Sequence, residues 1–184
     1  MFQVPDVPVP QRIVLNPSLA IHSVTYLQNM AQQGIYNNMR EDFNKAKKDT
    51  EETLLFHGTT VSNIEGIINN GFKLESLPQQ RSQDNQLRQK GSVFGKGIYL
   101  TSLPGMALMY GNGLLLCKVL LGNSENFVPT GQGEVPQLAA ESDSRLVTSR
   151  QGQKILQVVR NPAQVCSNEL AYKCLRVLPI YPMY

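Results

Sequence analysis

Cysteine and histidine are scarce in this chain, and their scarcity removes whole classes of protein. The three cysteines, Cys117, Cys166 and Cys174, are odd in number and lack the paired spacing of a zinc site, and only His22 and His57 could join them. Neither a disulfide framework nor a metal is therefore expected, and reduced thiols suit a cytoplasmic or nuclear setting. Long apolar runs are missing too. No stretch approaches the ~20 residues that span a bilayer, and the N-terminus has no basic segment leading into an apolar one, so a soluble protein with no membrane partner is expected. Charge is sparse: 17% of 184 residues are charged, for a formal net charge of +3. The densest cations, Lys45, Lys47 and Lys48, are followed at once by Asp49, Glu51 and Glu52, which reads as the solvated end of a helix rather than as a nucleic-acid patch. Repeats and low-complexity tracts are also lacking. What is present, 41% hydrophobic residues over this length, is enough to bury one core.

The order of elements follows from turn residues and periodicity. Pro5, Pro8, Pro10 and Pro17 make residues 1–17 an extended lead-in. Ser18 is placed to cap a helix carrying Ala20, Val24, Leu27 and Ala31 on one face and ending at Gly34, and a second helix is expected from Tyr36 through Met39, Phe43 and Ala46. A strand over Thr53–His57 precedes Ser62-x-x-Glu65, a capping box opening a helix with Ile64, Ile67 and Ile68 on one face and Gly71 at its stop. Residues 75–91 read as a long exposed loop, able to act as a lid. Strands are expected at Gly97–Leu100, Leu114–Leu121, Ile155–Arg160 and Leu170–Val177, with a polar region holding Gly131-Gln132-Gly133 between residues 122 and 153. Helices early and strands late imply an α+β fold.

Two short motifs carry chemistry. In Leu55-Phe56-His57-Gly58-Thr59, a histidine at a strand end can donate a hydrogen bond to a ribose hydroxyl or a pyrophosphate oxygen, and Gly58 lets a ligand amide approach the backbone with no Cβ in the way. In Phe94-Gly95-Lys96-Gly97-Ile98-Tyr99, the glycines permit a sharp entry to a strand whose tyrosine offers a flat apolar face. Tyr110 can supply a second ring. Two such rings form a slot for a planar cation, attractive by about 1 kcal/mol when desolvated.

At these two motifs, and at Leu156-Gln157-Val158-Val159-Arg160-Asn161-Pro162-Ala163-Gln164-Val165, the chain resembles the catalytic domain of the poly(ADP-ribose) polymerase family. The likeness runs from Arg12-Ile13 to Val165 with the motifs in the family's order. It implies an ADP-ribosyltransferase fold of split, mostly antiparallel sheets flanked by short helices, with residues 18–184 as one catalytic domain. It also implies NAD+ as co-substrate, with no metal, and protein acceptors, either self or target. His57, Tyr99 and Leu156 would then stand at the catalytic positions, and His57, Gly58, Thr59, Tyr99, Ala107 and Tyr110 would hold the donor while the bond from nicotinamide to ribose breaks through an oxocarbenium-like state.

Two positions depart from the family's pattern. Leu156 stands where elongating members carry a glutamate, and a leucine can neither take a proton nor make a charged hydrogen bond, so the resemblance points to the mono-ADP-ribosyltransferase branch. Ala107 stands where a serine usually binds the nicotinamide carboxamide, and Pro104-Gly105 just before it is expected to shorten a helix. One lost hydrogen bond is worth about 0.5–1.5 kcal/mol, enough to weaken NAD+ without abolishing binding. Glu134, Glu141 and Glu169 fall outside the aligned strand position, and Asn63, Lys73 and Lys96 read as surface or capping residues. Two functions stay open: single-unit transfer to protein side chains, and a non-catalytic NAD-binding or protein-interaction module.

Overall fold

The run Leu114-Leu115-Leu116-Cys117-Lys118-Val119-Leu120 is apolar almost throughout, which suits a strand covered on both faces. In the computed structural model, which describes residues 19–74, 93–130 and 135–176, this run is β4 (Gly113–Leu120). It lies inside an antiparallel sheet in which β1 (Leu19–Tyr26), β8 (Val165–Arg176), β4 and β2 (Glu52–Thr59) follow one another. One face of β4 sends Leu115, Cys117 and Val119 into the main core with Leu55, Ile98, Leu100 and Val159. Its other face packs Leu114 and Leu116 on Phe56, Ala107 and Leu108.

A second sheet runs β3 (Ile98–Leu100), β7 (Lys154–Val159), β6 (Ser144–Thr148), β5 (Ser124–Phe127), antiparallel except that β5 and β6 are parallel. One bridge links the sheets. Phe56 and Thr101 exchange both backbone hydrogen bonds, at 2.8 and 3.0 Å, which brings the open edge of β2 alongside the end of β3. The fold is α+β, two mostly antiparallel sheets with few helices: α1 (Met30–Lys45), α2 (Val61–Asn70) and the four-residue α3 (Pro104–Ala107), extended by a 3-10 turn over Leu108–Tyr110.

Several expectations are corrected. The segment expected to be a helix from Ser18 is β1, paired with β8 from Leu19↔Arg176 to Tyr26↔Leu170. Its helical spacing is coincidental, and Ile21, Val24, Thr25 and Tyr26 favour the extended chain once a partner strand is at hand. One helix then replaces two. Asn29 caps α1, its side chain accepting from Ala31 N at 3.0 Å and Gln32 N at 3.1 Å, and the helix runs straight through Gly34, whose Cα faces open space. Tyr36, Met39 and Phe43 face the core as expected, whereas Ala46 is the exposed C-cap. The capping box at Ser62–Glu65 does not form. β2 runs directly into α2, so Thr60 becomes the N-cap, and Asn112 Oδ1 accepts from Val61 N at 3.3 Å in place of a capping side chain. Gly71 does close the helix, at φ 74° with its N–H on Ile67 O.

The polar region between 122 and 153 contains β5 and β6. Of their buried side chains only Val147 is apolar, and Ser144 and Arg145 are polar with partners: Gln157 Nε2 donates to Ser124 Oγ and Ser144 Oγ, both at 2.9 Å, and Arg145 is 2% exposed. Alternation of apolar residues could not have revealed them. The lead-in over 1–17, the loop at 75–91, Gly131-Gln132-Gly133, and Glu134 lie outside the described residues, as do the side chains of His22, Glu169 and Cys174. Cys117 is a buried free thiol, and Cys166 is buried with its Sγ 3.6 Å from Gln33 Oε1. No helix among the described residues is long and apolar enough to cross a membrane, and no group of three His, Cys, Asp or Glu side chains is placed to hold a metal ion.

Candidate functional site

A cavity of about 540 Å³ opens where β2 meets β3, within the range of small-molecule sites. His57, Gly58 and Thr59 line it from β2, Tyr99 from β3, Ala107 and Tyr110 from α3 and its turn, and Leu156 from β7. All seven residues singled out in the sequence thus meet in one cleft.

His57 is held by its own environment. Its Nδ1 lies 3.0 Å from Tyr99 O, and since a carbonyl only accepts, Nδ1 carries the proton. Burial pushes the imidazole below its ordinary value, against the opposing pull of that carbonyl, so the ring is neutral at pH 7. Neutral with Nδ1 protonated, it presents a lone pair at Nε2. The ring thus accepts at Nε2 where a donor was expected: a ribose hydroxyl can donate to that atom, but a pyrophosphate oxygen, having no proton to give, cannot. The edge of Phe72 meets the imidazole at 4.9 Å and 79°, fixing its plane.

Gly58 plays a different part from the one expected. A Cβ there would lie 1.7 Å from Ala107 O, so the missing side chain admits the backbone of α3 rather than a ligand. What Gly58 offers is its peptide. Backbone groups of residues two apart point the same way along a strand, and those of Phe56 point outward to Thr101. The N–H and C=O of Gly58 therefore leave the same open edge one step beyond that bridge, where its backbone lines the cavity.

The opposite wall is apolar. The ring of Tyr99 packs with Leu156, Val147 and Val158. Its hydroxyl donates to Gly95 O at 2.7 Å and accepts from Phe94 N at 2.8 Å, so the phenol tip is tied to the glycine turn and the face is left for a ligand. Burial, reinforced by Tyr110 nearby, pushes the phenol up to about 12, despite the Phe94 N–H and Arg145. Tyr110 is 42% exposed at the cleft's mouth and is held by Gly111, where a Cβ would lie 2.1 Å from Thr59 O. Leu156 is 7% exposed, and Ala107, at 2%, presents no hydroxyl. Thr59 Oγ1 accepts from Asn63 Nδ2 at 3.3 Å.

The sequence reading missed the wall made by α2 and the residues after it. Ser62, Asn63 and Asn70 line the cavity along one side of the helix, and Phe72 and Lys73 follow its stop. Asn63 and Lys73 are exposed, as expected of surface residues, yet they stand on the rim; Lys96 is exposed and not part of the lining. The recurrence of Ser62 and Gly66, and of Asn63 and Asn70, at one to two turns was the available signal. Among the described residues, the lining contains no carboxylate, and Glu141 lies on the exposed surface away from it.

A cleft between two such sheets, with a neutral histidine on one strand end and a ring on the next, is the site of an ADP-ribosyltransferase fold. The chain belongs to the poly(ADP-ribose) polymerase family: the family's model, described as the poly(ADP-ribose) polymerase catalytic domain, matches residues 15–168. The match supports NAD+ as co-substrate and ADP-ribosyl transfer as the reaction class. No curated protein matches the chain.

Proposed function

We propose that this chain is a mono-ADP-ribosyltransferase, moving one ADP-ribose unit from NAD+ to a protein side chain with release of nicotinamide and no elongation. The observation that carries this reading is the wall at Leu156: a leucine 7% exposed, among Val147, Val158 and Tyr99, in a cleft whose described lining has no carboxylate. No carboxylate of the described lining is there to polarise the hydroxyl of a growing chain. The lining supports a way of holding the donor. Gly58 pairs its N–H and C=O with the carboxamide, Tyr99 and Tyr110 take the two faces of the pyridinium ring, and His57 Nε2 accepts from a ribose hydroxyl. Holding the nicotinamide end rigid while ribose develops positive charge favours cleavage by position rather than by a protein nucleophile. Protein acceptors, self or target, then complete the reaction.

Purified chain incubated with labelled NAD+ should acquire single ADP-ribose units, read by mass spectrometry, and His57→Ala should abolish the label. Label that persists after that substitution, or ladders of polymer from the native chain, would overturn the proposal. A second reading, a non-catalytic NAD-binding module, is favoured by one observation: Ala107 removes a hydroxyl from a buried position on the nicotinamide wall. A melting shift with NAD+ but no label at any concentration would select it.

A further inference from the structure

Arg145 is the most deeply buried charged side chain described here, at 2% exposed, and it does not reach the cleft. All five of its N–H groups have partners. Nε and Nη2 grip Glu125 Oε1 at 2.6 and 2.5 Å, Nη2 also donates to Gln137 O at 3.0 Å, and Nη1 donates to Pro136 O at 2.7 Å and Phe94 O at 3.0 Å. The guanidinium also lies 5.0 Å from the centre of the Phe127 ring, which is tilted against Phe94 at 6.2 Å. Glu125 is ionised: burial acts to raise its carboxyl, but the Ala139 N–H and Arg145 together bring it below the ordinary value.

Burying such a pair is seldom favourable for stability alone, since apolar residues of like volume commonly do as well. The geometry gives it another use. Phe94 receives Arg145 at its carbonyl and gives its own N–H to Tyr99 Oη, and that hydroxyl donates on to Gly95 O. Gly95 sits at φ 98° directly beside Arg145, where a Cβ would lie 3.3 Å from Nη1. The guanidinium therefore fixes the turn, the turn fixes the phenol tip, and the tip fixes the plane of the ring that faces the cleft.

We infer that Arg145 is a positioning residue for the NAD+ donor, acting through the Phe94–Gly95 turn to set the plane of the Tyr99 ring against the nicotinamide. This rests on the proposed role of Tyr99 in stacking. A planar fork of five donors is what the arrangement uses, and an ammonium with three donors on a flexible stem cannot serve both strands of contact.

The test is a double-substitution cycle on the full chain, with nicotinamide and NAD+ as probes, at a temperature where each variant is folded by circular dichroism. Arg145→Lys should weaken nicotinamide binding by about three- to tenfold, and raise KM for NAD+ more than it lowers kcat. Tyr99→Phe, which removes only the tethered hydroxyl, should weaken it similarly. In the Tyr99→Phe background the Arg145 change should add less than about twofold, because the link is already cut. Glu125→Gln, at a side chain 23% exposed, loosens the same guanidinium and serves where Arg145→Lys does not fold. If the native chain binds nicotinamide and Tyr99→Phe weakens it while Arg145→Lys and Glu125→Gln do not, or if the effects simply multiply, Arg145 is structural only and the site reading stands. If the native chain binds neither probe, both fall together.

Discussion

On the β2–α2 wall of the cleft, His57, Gly58 and Asn63 offer a ring lone pair, a free peptide edge and an amide; on the β3–β7 wall, Tyr99 has its hydroxyl engaged by a turn and Leu156 offers only methyl groups. The first wall can recognise a ligand by hydrogen bonds. The second can only fit a flat ring and exclude water. On the proposed function, recognition and chemistry are separated in space, with the first wall holding the donor and the second deciding what it is able to do.

The sharpest way to break the contrast is to damage the polar wall at its least tolerant point. Gly58→Ala would set a methyl 1.7 Å from Ala107 O and 2.4 Å from Ala107 C, backbone atoms that no side-chain rotation can clear. α3 must lift from β2, and with it Ala107 and Tyr110. We expect a loss of about 3 kcal/mol in stability and no melting shift with NAD+. An unchanged shift would mean that α3 contributes nothing to the site.

Leu156→Glu attacks the other wall. The side chain sits in an apolar cluster, so the new carboxyl is raised by burial and the variant should lose about 2 kcal/mol near pH 7 by thermal melting. Polymer should still not form, because an elongating enzyme also needs a shaped second site for the chain end. Long polymers from this variant would refute the view that one residue is insufficient.

Some of this was legible beforehand and some was not, for physical reasons. β4 was plain because Leu114–Leu120 is buried on both faces and needs no partner to explain it. His57 and Tyr99 were found because a strand-end histidine and a glycine-flanked tyrosine are local signals. β6 was invisible because two of its three buried residues, Ser144 and Arg145, are polar and satisfied by Gln157, Glu125 and Phe94, neighbours that only the folded chain supplies, which leaves Val147 alone as an apolar signal. β1 was misjudged as a helix for a related reason: its partner β8 lies at the other end of the chain, and no local pattern reports a distant strand. Gly58 was found but misread, since the atom that requires its bare Cα belongs to Ala107 and not to a ligand.

Acid should weaken the polar wall alone. His57 in the folded protein titrates below the ordinary 6.5, so between those two pH values only the unfolded chain binds the proton. This contribution to stability is complete above 6.5 and declines as pH falls through that window. Protonation of the folded ring, which sets in only at the lower end of that window, also consumes the Nε2 lone pair, so the NAD+ melting shift should shrink at a lower pH than the one where stability starts to fall, while His57→Gln gives a flat profile. A shift that grows on acidification would show that the ring donates rather than accepts.

The smallest effect, and the most discriminating, is expected from Ala107→Ser. Ala107 is 2% exposed, lines the cavity and has its carbonyl over Gly58, so a hydroxyl placed there probes the peptide edge assigned to the carboxamide. If the amide of nicotinamide is held at that edge, the hydroxyl gains it a third hydrogen bond, worth about 0.5–1.5 kcal/mol, or a several-fold tighter Kd by calorimetry. If the carboxamide lies elsewhere, the hydroxyl is a buried polar group without a partner, and both stability and affinity fall. The two outcomes have opposite sign, so a change too small to alter the fold reports directly on which way the donor faces in the cleft.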